Sequence, residues 1–225
     1  MTRLKTIAYV EGLGEVVETC NNFYSELRQL DAGRARLISP RDEAYARLQT
    51  RGKEEENIGQ DYGTRTSADF EYVKGEFPIL RLKSRLLNQA LAKKAVEANK
   101  QGNYFHTETT KEYEQSLEEA EREVEQGLEP KERSVIVLPS RDRLLGITDK
   151  QNWEVLEAVL KDQAKPYFEF NGPLNIYPFD KEIVDAQNGT IETLMVFGDF
   201  CHGSGFFGDR HFNYVDRARG VRKNL

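Results

Sequence analysis

Six apolar residues near the start of the chain, Val16, Val17, Cys20, Phe23, Tyr24 and Leu27, fall at positions i, i+1, i+4, i+7, i+8 and i+11. That spacing follows a 3.6-residue period and predicts a helix whose broad apolar stripe lies on a sheet. Just before it, Leu4, Thr6, Ala8 and Val10 alternate with Lys5, Ile7 and Tyr9, the two-residue period of a largely buried strand. Residues 11–14, "EGLG", read as the turn between the two, which makes the N-terminus a β-α unit.

Further along, "RARLIS" reads as a second strand, and Ser39 with Pro40 as the N-cap and first position of a helix, where the missing proline N–H costs nothing. Residues 51–69 are polar and glycine-punctuated, with Glu54, Glu55 and Glu56 in a row, and are expected to form a loop. "DFEYVKG" reads as a short strand. Leu87, Ala90, Leu91, Ala95 and Ala98 mark a helix ending near Gly102. A second follows from a Thr109–Glu112 capping box, with Tyr113, Leu117, Ala120 and Val124 on its apolar side. The first begins basic and the second is acidic, so the pair is expected to form an antiparallel hairpin resting on its apolar stripes.

"SVIVLP" is a continuous apolar run bounded by charge and proline, the pattern of a buried strand. Thr148 is the expected cap of a helix carrying Trp153, Leu156, Val159 and Leu160. From Pro166 onward, "PYFEF", "LNIYPF" and "NGTIETLMVF" read as strands separated by Asn-Gly turns at 171–172 and 188–189. The expected fold class is therefore α+β: an N-terminal β-α unit, a central antiparallel helical hairpin and a β-rich C-terminal part. One α+β domain over 1–225 is expected, with subdivision into 1–78, 79–130 and 131–225 as the alternative.

A chain of 225 residues with 12 Phe and 10 Tyr has the apolar mass for a core, although 31% of its residues are charged. A formal charge of −6 excludes a surface that attracts nucleic acid over its whole area and leaves room only for a local basic patch. Two cysteines about 180 positions apart cannot build a disulfide framework. The first residues lack the apolar stretch of a secretory signal, and no later run reaches membrane length. The expectation is a soluble cytoplasmic protein with no membrane partner.

The motifs of high physical specificity (Walker A, H-E-x-x-H, G-x-S-x-G, C-x-x-C and the EF-hand loop) are absent. Gly12 and Gly14 in "VEGLGEVV" imitate a dinucleotide loop, but Val17 stands at the third glycine position, and Glu11 and Glu15 would repel a pyrophosphate. A structural turn is the better reading.

One stretch concentrates chemistry. "FGDFCHGSGFFGDRHF", residues 197–212, holds two of the three histidines and one of the two cysteines. As a hairpin, its phenylalanines pack and its polar residues serve the turn. In the alternative reading, Asp199, Cys201, Asp209 and His211 bind zinc or another transition metal, with His202 at the turn. A hydrolase would instead use Cys201 as the nucleophile, with His211 and Asp209 supporting it. Downstream, Arg210, Phe212, Tyr214, Arg217 and Arg219 interleave basic and aromatic side chains, a mixture that holds phosphates and stacks bases. A solvated basic tail is the plainer account of the same residues. The expected function is a non-catalytic binding or interaction protein for nucleic acid or a phosphate-bearing ligand; any cofactor stays unknown.

Overall fold

The computed structural model describes residues 4–53, 58, 63–101, 104–147, 150–200, 203–208 and 217–222, and side chains at 150, 151, 199, 200, 203 and 204 fall outside the description. It is a mixed α+β protein. Strands β1 (Lys5–Val10) and β2 (Gly14–Cys20) form an antiparallel hairpin. Its turn needs the left-handed backbone that glycine supplies, at Gly12 (φ +76°) and Gly14 (φ +108°). Helix α1 (Phe23–Ala32) follows, capped by the Asn22 side chain, which accepts from the Ser25 N–H at 3.0 Å.

The helix predicted over 16–27 is thus a strand as far as Cys20 and a helix only from Phe23. The physical reason is that β2 is covered on both sides. Val16 packs with Ala8, Val10 and Ala46, and Val17 packs with Phe23, Leu30 and Ala218. A strand buried on both faces loses the polar–apolar alternation that would have distinguished it from a helix.

The chain continues through β3 (Arg36–Leu37), α2 (Pro40–Thr50), β4 (Thr64–Tyr72), β5 (Ile79–Arg81), α3 (Gln89–Lys100), β6 (His106–Thr107), α4 (Lys111–Glu125) and β7 (Val135–Val137). It ends with α5 (Lys150–Leu160), α6 (Ala164–Asn171), β8 (Asn175–Tyr177), α7 (Lys181–Asp185), β9 (Thr190–Phe200), β10 (Gly203–Phe207) and β11 (Arg217–Arg222). Ser39 caps α2 as expected, accepting from the Asp42 N–H at 3.1 Å.

The eleven strands among the described residues join one sheet, with the main order β1-β2-β11-β4-β9-β10-β8, β5 pairing with Asp69, Phe70 and Glu71 of β4 and β7 pairing with β5. One face carries Phe70, Met195, Phe197 and Phe206 under Leu156, Leu160 and Tyr167 of α5 and α6. The opposite face carries Val17, Leu194 and Ala218 under α1 and α3, and Ile79 and Val135 under α4. No helix among the described residues is long and apolar enough to cross a membrane.

Four further expectations change. Helix α3 packs against α1 while α4 packs on β5 and β7, so the apolar stripes that suggested a hairpin serve two separate parts of the sheet face. "PYFEF" lies in α6, whose Tyr167 is buried in the core and whose Phe168 packs against Trp153. The expected loop of 51–69 contains the first half of β4, where Thr64, Arg65, Thr66 and Asp69 are buried. The supposed basic tail includes β11, a central strand between β2 and β4.

Candidate binding surface

Four strand ends meet at one edge of the sheet. Arg217, the first residue of β11, stands opposite Cys20, the last of β2, and beside Thr64, the first of β4. Antiparallel pairing of β4 with β9 brings Phe197 opposite Thr64, so the end of β9 lies there too.

Behind this edge, charges alternate. Arg217 Nη1 lies 2.9 Å from Glu18 Oε1, and Glu18 Oε2 lies 3.1 Å from Arg219 Nε. Arg219 also pairs with Glu43 of α2, and Glu43 Oε1 lies 2.8 Å from Arg47 Nε. Arg47 donates to the Phe197 carbonyl at 3.1 Å, and its guanidinium stands 4.7 Å from the centre of the Phe197 ring. Burial alone would raise the Glu43 carboxyl; Arg219 and Arg47 outweigh it and hold that group below its usual range. On the other face, Arg65 Nη1 reaches Glu26 Oε2 at 2.7 Å. Burial, then the nearby Glu26 charge, pushes the Cys20 thiol upward, which keeps it protonated and a poor nucleophile.

The predicted site residues divide sharply. Asp199 belongs to β9, with its backbone opposite Ser204 of β10. Its side chain, Cys201, His202, Asp209, Arg210, His211, Phe212 and Tyr214 lie outside the description, so the metal and nucleophile assignments fall there. Among the described residues, no group of three or more His, Cys, Asp or Glu side chains can hold a metal ion. Arg217 is on the edge, its side chain about one-third exposed at 35%. Arg219 is buried, with its guanidinium engaged by Glu18 and Glu43.

Both flanks of residues 209–216 are held by the sheet. The Gly208 N–H donates to the Tyr177 carbonyl at 2.8 Å, and the Gly208 carbonyl accepts from the hydroxyls of Thr193 and Tyr72. A Cβ at Gly208 would stand 2.2 Å from the Tyr72 hydroxyl, so only glycine permits this approach. At the other flank, the Arg217 N–H donates to the Gly63 carbonyl at 3.2 Å.

A second polar group escaped sequence reading. Asp69 and Glu71 of β4 and Glu192 of β9 are buried on the face covered by α4, with Glu71 directly opposite Glu192. Arg85 Nη2 lies 2.5 Å from Glu71 and 3.4 Å from Glu192, and Arg81 Nε lies 3.6 Å from Glu71. The Ser84 hydroxyl donates to Asp69 at 2.6 Å. One oxygen of each carboxylate has no hydrogen-bond partner among the described residues. Burial raises all three; for Asp69 the charges of Glu71 and Glu192 add to it, and Glu192 reaches about 7. The available signal was the spacing of Asp69 and Glu71 around Phe70, but charges on a strand's second face ordinarily mean solvent.

No protein-family model matches the sequence, and no curated protein matches it significantly. Among solved structures, the chain is similar to one described as the accommodation of massive sequence variation in Nanoarchaeota by the C-type lectin fold. The two share 14% identity at a TM-score of 0.56, over 95% of this chain and 100% of the other. The fold is C-type lectin-like.

Proposed function

We propose that this chain is a binding protein whose ligand contacts come from Arg217 at this edge and from the residues that lie between Gly208 and Arg217 in the sequence, and that its ligand bears phosphate, as a nucleic acid strand does. The observation that carries the reading is the anchoring of Gly208 and Arg217 on either side of that segment. A frame held at both flanks limits the entropy that a recognition segment loses on binding. Between the flanks stand Arg210, His211, Phe212, Asn213 and Tyr214, side chains suited to phosphate contact and base stacking. The structural neighbour supports the same reading, because a C-type lectin fold that accommodates massive sequence variation can change its side chains while keeping its frame. In this chain Arg217 supplies a phosphate contact at the rim, while Arg219 holds Glu18 in place beneath it.

Fluorescence anisotropy with a labelled oligothymidylate, repeated with a phosphoserine peptide, tests this. Saturable binding should weaken as salt rises, and Arg210→Ala with Tyr214→Ala should reduce affinity about tenfold or more. Absence of binding to both probes, or binding indifferent to salt and to these substitutions, overturns the proposal.

A further inference from the structure

Strand β7 has one edge on β5 and, among the described residues, no strand on its other edge. The Leu82 N–H donates to the Ser134 carbonyl at 2.9 Å and the Leu138 N–H to the Pro78 carbonyl at 2.8 Å, while Ile136 stands opposite Leu80. In an antiparallel ladder, this directs the backbone groups of Val135 and Val137 away from β5. Glu123 of α4 closes part of that outer edge by accepting from the N–H groups of Ser134 at 2.9 Å and Val135 at 3.2 Å. The N–H of Val137 and the carbonyls of Val135 and Val137 have no partner among the described residues.

Beside this edge runs a groove of about 350 Å³, with Val135, Ile136 and Val137 on one wall and Ala120 and Val124 of α4 on the other. Val124 is a large apolar side chain left 55% exposed. The rim is acidic on its α4 side: Glu121 and Glu125 line the groove, Glu118 lies one turn away, and none of the three enters an ion pair among the described residues, while the one cation in the lining, Arg133, donates its Nε–H to the Leu128 carbonyl at 3.1 Å.

We propose that the β7 edge and the groove beside it dock a basic, extended segment of another protein, which adds to the sheet as a further strand. Main-chain bonds to Val137 and to the Val135 carbonyl hold it, alternate apolar side chains enter the groove against Val124, and lysine or arginine side chains meet Glu121 and Glu125. Charge selects this occupant over a second copy of the chain. Two copies joined through β7 would set Glu121 and Glu125 of one against those of the other, in a protein whose formal charge is −6.

The test is anisotropy of a labelled peptide of alternating valine and lysine, with two controls: the same peptide N-methylated at alternate backbone nitrogens, and a valine–glutamate counterpart. Binding of the valine–lysine peptide alone is expected, weakened about tenfold by the double variant Glu121→Gln/Glu125→Gln and by Val137→Pro. Proline at 137 removes an N–H that β5 does not use, and the N-methylated peptide asks the same question without altering the protein. Equal binding of the methylated peptide would reduce the site to nonspecific charge attraction and overturn strand addition. So would failure of the valine–lysine peptide to bind, or a dimer in sedimentation that Val137→Pro dissolves.

Discussion

Two buried polar groups sit between the sheet and its helices, and they resolve the burial of charge in opposite ways. Along Arg217, Glu18, Arg219, Glu43 and Arg47, each anion lies between cations. Around Asp69, Glu71 and Glu192, three carboxylates share two arginines, and two of the three face each other across neighbouring strands. Burial acts to raise Glu43, Asp69, Glu71 and Glu192 alike. Neighbours decide the outcome: Glu43 stays ionised, while Glu192 rises to about 7. Cations on both sides of Glu43 offset its burial, whereas burial of Glu192 outweighs Arg85, with the neighbouring Glu71 adding to it, and a proton is retained.

The sharpest way to break this contrast is Arg219→Met, which takes the shared cation from Glu18 and Glu43 and leaves the fully buried Glu43 with Arg47 alone. A loss of about 3–5 kcal/mol is expected in urea unfolding at neutral pH. A loss below about 1 kcal/mol would mean that alternation contributes little.

A smaller effect, with the opposite sign, is expected from Glu192→Gln. The folded state binds more protons than the unfolded chain between the ordinary carboxylate range and about pH 7. Stability from this group therefore falls as pH rises through that window, and the penalty is complete above it. The glutamine variant should be more stable than the parent at pH 8 by about 1–3 kcal/mol, and the advantage should shrink toward pH 5. An unchanged pH profile of unfolding midpoints would remove the crowded cluster from the account. Glu43 runs the other way: its lowered value makes its contribution present at neutral pH and lost below the usual carboxylate range.

The smallest expected effect sets the scale. Arg41 pairs with Asp162 through two hydrogen bonds of 2.8 Å, yet their side chains are 36% and 59% exposed. Arg41→Ala should cost about 0.5 kcal/mol and lose even that in high salt. A cost similar to that of Arg219→Met would show that burial is not what separates the two kinds of pair.

By itself, the sequence determined the mixture of helices and strands, the capping of α2 by Ser39, the glycine turn at 11–14, the buried strand at "SVIVLP" and the long strand through "TIETLMVF". Each is a local matter: a cap, a φ angle or an uninterrupted apolar run acts within a few residues. The boundary between β2 and α1 was hidden, because Val16 and Val17 are buried on opposite faces and imitate a helical stripe. Residues 197–212 drew attention by composition alone, whereas the ligand-facing role proposed for Arg217 depends on strands distant in sequence. Only the tertiary structure decided that "RARGVR" is a central strand, that Arg219 lies between two glutamates, and that Asp69, Glu71 and Glu192 share one covered face. A charged residue in a strand looks the same to its neighbours in sequence whether water or a helix covers it. Which of the two covers it is settled by segments as far apart in sequence as Glu18 and Arg219, and that distance carries no local signature.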